Sequence, residues 1–121
     1  MNDARLERMA SDSVAAVQRE LPPELLAVAK EVHVILEPVP GADVLAGGFE
    51  PDTLGLFTGS ARGEESSDPL PPQIHLYTAN LWDFADADPE AFRREARITY
   101  LHELGHYLGW DEDDLEARGL D

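Results

Sequence analysis

The chain has 121 residues, 43% of them hydrophobic, an ordinary globular composition with room for one domain and one modest core. It contains no cysteine, which excludes disulfides, thiolate zinc sites and cysteine nucleophiles, so a transition metal would have to be held by His, Asp or Glu. A formal net charge of −16 argues against a nucleic-acid partner, because phosphate binding needs a basic footprint, and reads mainly as a solvated acidic surface.

From Leu6 to Leu21 the residues Leu6, Ala10, Val14, Val17 and Leu21 recur at helical spacing. The flanking stretch Met1 to Ala10 carries Asp3, Arg5, Glu7 and Arg8 and lacks the apolar core of a signal peptide. No apolar run approaches a membrane span, so the expectation is a cytoplasmic chain without a membrane partner. Pro22-Pro23 ends the first helix, and Pro23-Glu24-Leu25 starts a short second one reaching about Ala29. Val32 to Leu36 is β-branched and apolar and predicts a strand, closed by Pro38, Pro40 and Gly41. Leu54 to Thr58 predicts a second strand. Gly59 to Pro72, rich in glycine, proline, serine and acids, predicts a loop. Gln73 to Thr78 predicts a third strand. In Asn80 to Ala87, the residues Leu81, Trp82 and Phe84 suit a turn packed on the core.

The clearest element runs from Pro89 to Leu108. Asp88 is a good N-cap, Pro89 suits the first helical position, and Gly109 is placed to end the helix in a left-handed conformation. Ile98, Leu101, Leu104, Gly105 and Leu108 predict one apolar face, with Tyr100 and Tyr107 pointing away from it. Asp111 can cap a last short helix, with Glu112, Asp113 and Asp114 in its first turn and Leu115 packing it back.

Near the end of the long helix stands His102-Glu103-Leu104-Gly105-His106. Two histidines four apart lie one turn above each other, about 40° apart in projection, so their imidazoles can converge on one ion. Zinc suits such nitrogen donors and takes three protein ligands plus an open position for water. Glu103 is rotated about 100° from His102, close enough to reach an ion-activated water without ligating, which makes it the candidate general base. The plainer alternative is a pair of polar histidines at the edge of the apolar face, with Glu103 a surface acid. For the third ligand the candidate is Glu112, three residues past Gly109, where the chain can fold back beneath the helix end. Asp111 comes next, then Asp113 or Glu116. Against these stands the reading of all four acids from Asp111 to Asp114 as helix-capping residues with no metal role.

The run His102 to Glu112 resembles the H-E-x-x-H-x-x-G-x-x-D signature of the minimal zincin-like metallopeptidases, small and mostly bacterial proteins. The similarity extends to Leu21-Pro22-Pro23-Glu24, Leu54-Gly55-Leu56-Phe57, the stretch Leu70 to Tyr77, and Asp113-Asp114-Leu115 with Gly119, so it covers the chain from about Leu21 onward. The resemblance implies zinc held by His102, His106 and an acidic third ligand, with Glu103 as base. Two departures stand out. The family commonly has Asp where this chain has Glu112, and the loop from Gly59 to Pro72 is more acidic and serine-rich than relatives suggest. In larger zincins an edge strand beside the active-site helix binds peptide as an added strand. Gln73 to Thr78 is the candidate here. Its His75 or Tyr77 could stabilise an oxyanion, although ordinary strand roles are the plainer reading. His33 reads as structural.

The expected fold is α/β (α+β): a single zincin-like domain over residues 1–121, with a small mixed sheet of three or four strands packed against the N-terminal helix and the long helix. The expected function is zinc-dependent hydrolysis of peptide or protein substrates, Glu103 taking the water's proton and later protonating the leaving amine. A non-catalytic module that keeps a metal site for stability is the alternative. A metal-dependent ribonuclease is a further one, disfavoured by the missing third histidine and the acidic charge. The sequence leaves the oligomeric state and the cleavage preference open.

Overall fold

The first helix, α1 (Asp3–Glu20), begins where the Asn2 side chain accepts a hydrogen bond from the Arg5 N–H at 2.9 Å. Its Leu6, Ala10, Val14 and Val17 are buried, as their spacing predicts. Pro23 opens α2 (Pro23–Ala29), and β1 (His33–Glu37) follows, one residue later than the sequence pattern suggests. The computed structural model describes residues 1–63 and 71–120. Between β1 and the next strand it contains a helix the sequence reading missed, α3 (Ala42–Ala46), whose five residues are too few to show a helical period. Next come β2 (Gly55–Thr58) and β3 (Gln73–Tyr77). Part of the expected loop between them, residues 64–70, lies outside the described residues. Leu81, Trp82 and Phe84 belong to a helix, α4 (Thr78–Phe84), rather than a turn. Leu81 is fully buried, while Phe84 is exposed.

The three strands form one mixed sheet in the order β1-β3-β2, with β1 parallel and β2 antiparallel to β3. β3 is therefore the centre of the sheet. The expectation that Gln73 to Thr78 forms the substrate-binding edge is incorrect. β3 lies between the two earlier strands, where Ile74, Leu76 and Tyr77 lose all contact with water. The edge that meets the long helix is β2.

That helix, α5 (Pro89–Leu108), has the predicted ends. The Asp88 carboxylate accepts from the Ala91 N–H at 3.3 Å, and Gly109 adopts φ 73°. Its packing differs from the single apolar face expected. Ten of its 20 residues are buried, and they occupy more than half the circumference, because α1, α4, the sheet and the last helix all pack on it. Tyr100 and Tyr107, read as outward-pointing, are buried instead. Their rings fill the core, and each hydroxyl finds a partner, Gln18 for Tyr100 and Glu31 for Tyr107. Trp82 packs edge-on against Phe92 at 5.9 Å and fixes α4 to the start of α5. The final helix, α6 (Glu112–Ala117), turns back across the end of α5 and buries Leu115. None of the described helices is long and apolar enough to cross a membrane.

Candidate active site

What remains open on α5 is a narrow strip, and His102 and His106 lie on it. Their side chains are about half exposed, and the ring centroids are 5.0 Å apart. This is the one-turn stacking that a four-residue spacing imposes.

Glu103 is oriented differently. It faces β2 and is only 8% exposed, which rules out a surface acid. Burying a carboxylate is costly unless donors meet it. Here the Phe57 N–H donates to Glu103 Oε1 at 3.1 Å, and His106 Nδ1 lies 3.4 Å from the same oxygen. The register of the sheet explains why that N–H is available. Tyr77 N–H donates to Leu54 O at 3.0 Å, so Leu54, Leu56 and Thr58 bond toward β3, and the backbone groups of Gly55 and Phe57 point off the free edge. Close approach of β2 to α5 depends on Gly55. A Cβ there would lie 2.5 Å from Thr99 Cγ2 and 3.0 Å from His75 O. Thr99 is one turn before Glu103, so the glycine sets the distance between the edge strand and the acid.

Of the acids after Gly109, two are occupied at the helix start. Asp111 Oδ1 accepts from the Asp114 N–H at 2.9 Å, and Asp114 Oδ2 accepts from the Asp111 N–H at 3.1 Å, a reciprocal capping box. Glu112 instead approaches the histidines, with Oε1 3.7 Å from His102 Nδ1 and a side chain 83% exposed. Asp113 is exposed. Gly105 explains how α6 reaches this position. A Cβ at Gly105 would sit 3.3 Å from Leu115 Cδ1 and 3.3 Å from Trp110 O, so the glycine inside the histidine motif is the floor on which α6 rests.

A second set of contacts, not anticipated from sequence, braces the motif from behind. Tyr107, next to His106, donates its hydroxyl proton to Glu31 Oε1 at 2.6 Å. The Arg62 guanidinium also holds Glu31, at 3.1 Å, and the Arg62 N–H donates to the Tyr107 carbonyl at 2.7 Å. The Tyr107 hydroxyl and Arg62 hold the Glu31 carboxyl below its ordinary range. Burial, then the hydrogen bond to Glu31, pushes the Tyr107 phenol up. Glu31, Arg62 and Tyr107 are far apart in sequence, and only a tyrosine flanking the motif signals the clamp. On β3, His75 Nδ1 lies 2.9 Å from Glu37 Oε1 and Tyr77 is fully buried, in keeping with ordinary strand roles. His33 stands exposed at the start of β1.

Residues 29–120 match the family model described as zincin-like metallopeptidase. The chain belongs to the zincin-like metallopeptidase family. The match takes in the whole sheet, α5 and α6, and leaves α1 and most of α2 outside it, including Leu21-Pro22-Pro23-Glu24. No curated protein matches the chain. Zincin-like metallopeptidases are hydrolases by description, and the donors here fit zinc in kind: two imidazoles on one helix strip and a free carboxylate beside them. Among the described residues, no three His, Asp or Glu side chains enclose an ion as they stand. Glu112 is the most exposed of the three candidates.

Proposed function

We propose that the chain is a zinc-dependent peptidase in which His102, His106 and Glu112 hold the ion and Glu103 is the general base. The observation that carries this reading is the burial of Glu103 between His106 and the N–H of an edge strand. Burying a carboxylate against so few donors is costly, and the position holds Glu103 beside the open histidine strip, where a general base has to stand. Zinc, when bound, supplies Lewis-acid polarisation of a carbonyl and acidifies water.

The chain's own residues supply the rest. Phe57 N–H fixes Glu103 Oε1, while the second carboxylate oxygen accepts no hydrogen bond from the described residues. That oxygen takes a proton from the attacking water as the water oxygen bonds to the carbonyl carbon. Glu103 then delivers the proton to the amine nitrogen as the C–N bond breaks. The outward backbone groups of Gly55, and the Phe57 carbonyl, can pair with an extended peptide laid along β2, placing its carbonyl over the histidine strip.

The test is to incubate zinc-loaded protein with a peptide mixture and identify new termini by mass spectrometry. New termini should appear, vanish with a chelator and return with added zinc. A holo protein that cuts nothing, yet melts far lower once stripped of zinc, is instead a binding module with a structural metal. Zinc-dependent loss of RNA without peptide cleavage would give the ribonuclease.

A further inference from the structure

We infer that a cavity beside His102 receives a lysine or arginine side chain of the substrate, an assignment that rests on the peptidase reading above. The cavity lies where α6 crosses α5 and has a volume of about 330 Å³. That is at the small end for a ligand site and suits one long side chain better than a compact organic molecule. Its wall is aliphatic, formed by Ile98, Leu101, Leu115 and Leu120.

Ile98 decides what this cavity is for. The helical pattern assigns it to the buried face of α5, yet it is 44% exposed and lines the cavity instead. A chain that leaves an isoleucine open one turn before His102 presents apolar surface at the point where a bound peptide would pass. The rim is acidic. Glu112 and Glu116 stand one turn apart on α6, both exposed, and both line the cavity together with His102. Glu112 belongs to the proposed zinc ligands, which leaves Glu116 as the charge available to a ligand. Among the described residues Glu116 makes no ion pair. The neighbouring Arg118 is engaged elsewhere, its guanidinium 3.9 Å over the Trp110 ring and 4.0 Å from Asp114.

An aliphatic wall ending in a carboxylate complements a side chain with an aliphatic stem and a cationic tip. An acidic side chain is rejected by both Glu116 and the overall charge of −16. A purely aliphatic one fills the wall and leaves the rim unused.

Binding and cleavage are measured separately. Zinc-loaded Glu103→Gln protein is titrated with acetyl-Ala-Ala-X-Ala-Ala-amide, where X is lysine, norleucine or glutamate, and the methyl shifts of Ile98, Leu101, Leu115 and Leu120 are followed by NMR. The lysine peptide should move these methyls and bind about three- to fivefold tighter than the norleucine peptide, the worth of a partly exposed ion pair. The glutamate peptide should bind weakest. Adding Glu116→Gln should bring lysine and norleucine close to parity. Equal binding with Glu116 intact, a lysine preference that survives Glu116→Gln, or no shift at these methyls overturns the assignment. The same peptides are then offered to protein with Glu103 intact. If the lysine preference in binding holds and nothing is cut, the cavity assignment stands and the peptidase reading fails. If peptides are cut without regard to X, the reverse is true.

Discussion

At the scale of single residues, the motif divides its labour by the direction each side chain takes from one helix. His102 and His106 face solvent, while Glu103 faces the sheet edge. The histidine pair and its acid were legible in the sequence because helical spacing alone converts them into positions, whereas Glu112 lies on another helix and its place depends on the turn after Gly109. The Glu31-Arg62-Tyr107 clamp was not, because it joins three separate stretches and one partner is a backbone carbonyl. The clamp has a predictable pH window. Glu31 has a depressed carboxyl, so its contribution to stability is present above the ordinary glutamate range and disappears as pH falls through the lower folded value. Tyr107 has a raised phenol, so its contribution is whole below the ordinary tyrosine range and is lost as pH rises through the higher folded value. Glu31→Gln should therefore lower the melting temperature at neutral pH, and the gap from wild type should close in acid. A gap that is constant with pH would contradict the clamp. At the third ligand, Glu112→Gln should weaken zinc binding at least about tenfold, while Asp113→Asn leaves it unchanged, as measured by competition with a chromophoric chelator.

At the scale of elements, α5 was read with its correct bounds because its start and stop are chemical: an aspartate cap, a proline at the first position and a glycine beyond the last. Its surroundings were misread because one apolar stripe was assumed for a helix that is packed from several sides. The identity of the edge strand was misread for a related reason. Strand order depends on how the chain returns through a loop, and no local pattern in Gln73–Tyr77 encodes that. The contact between β2 and α5 rests on Gly55, which gives a paired prediction. Gly55→Ala should destabilise the protein by about 1–3 kcal/mol through overpacking against Thr99. Thr99→Ser, which removes the obstructing methyl, should recover part of that loss when combined with it. Chemical denaturation of the two single variants and the double variant measures this. Strict additivity would show that the strand does not depend on this contact.

At the scale of the whole molecule, the acidic surface and the site act together. A net charge of −16 on 121 residues repels itself, so the melting temperature should rise as salt screens it, and a flat response would show the charges to be locally compensated. On the proposed peptidase reading, the same charge favours encounter with basic over acidic peptides. Sheet edge, helix strip and α6 meet there through two glycines, Gly55 under the strand and Gly105 under the helix. The central claim is that this junction hydrolyses peptides with Glu103 as its base. It is tested most directly by comparing wild type with Glu103→Gln for bound zinc and for peptide turnover in one preparation scheme. The account predicts equal zinc in both and turnover in the variant reduced by about a hundredfold or more. Equal turnover in the two proteins, or none in a zinc-replete wild type, would contradict it.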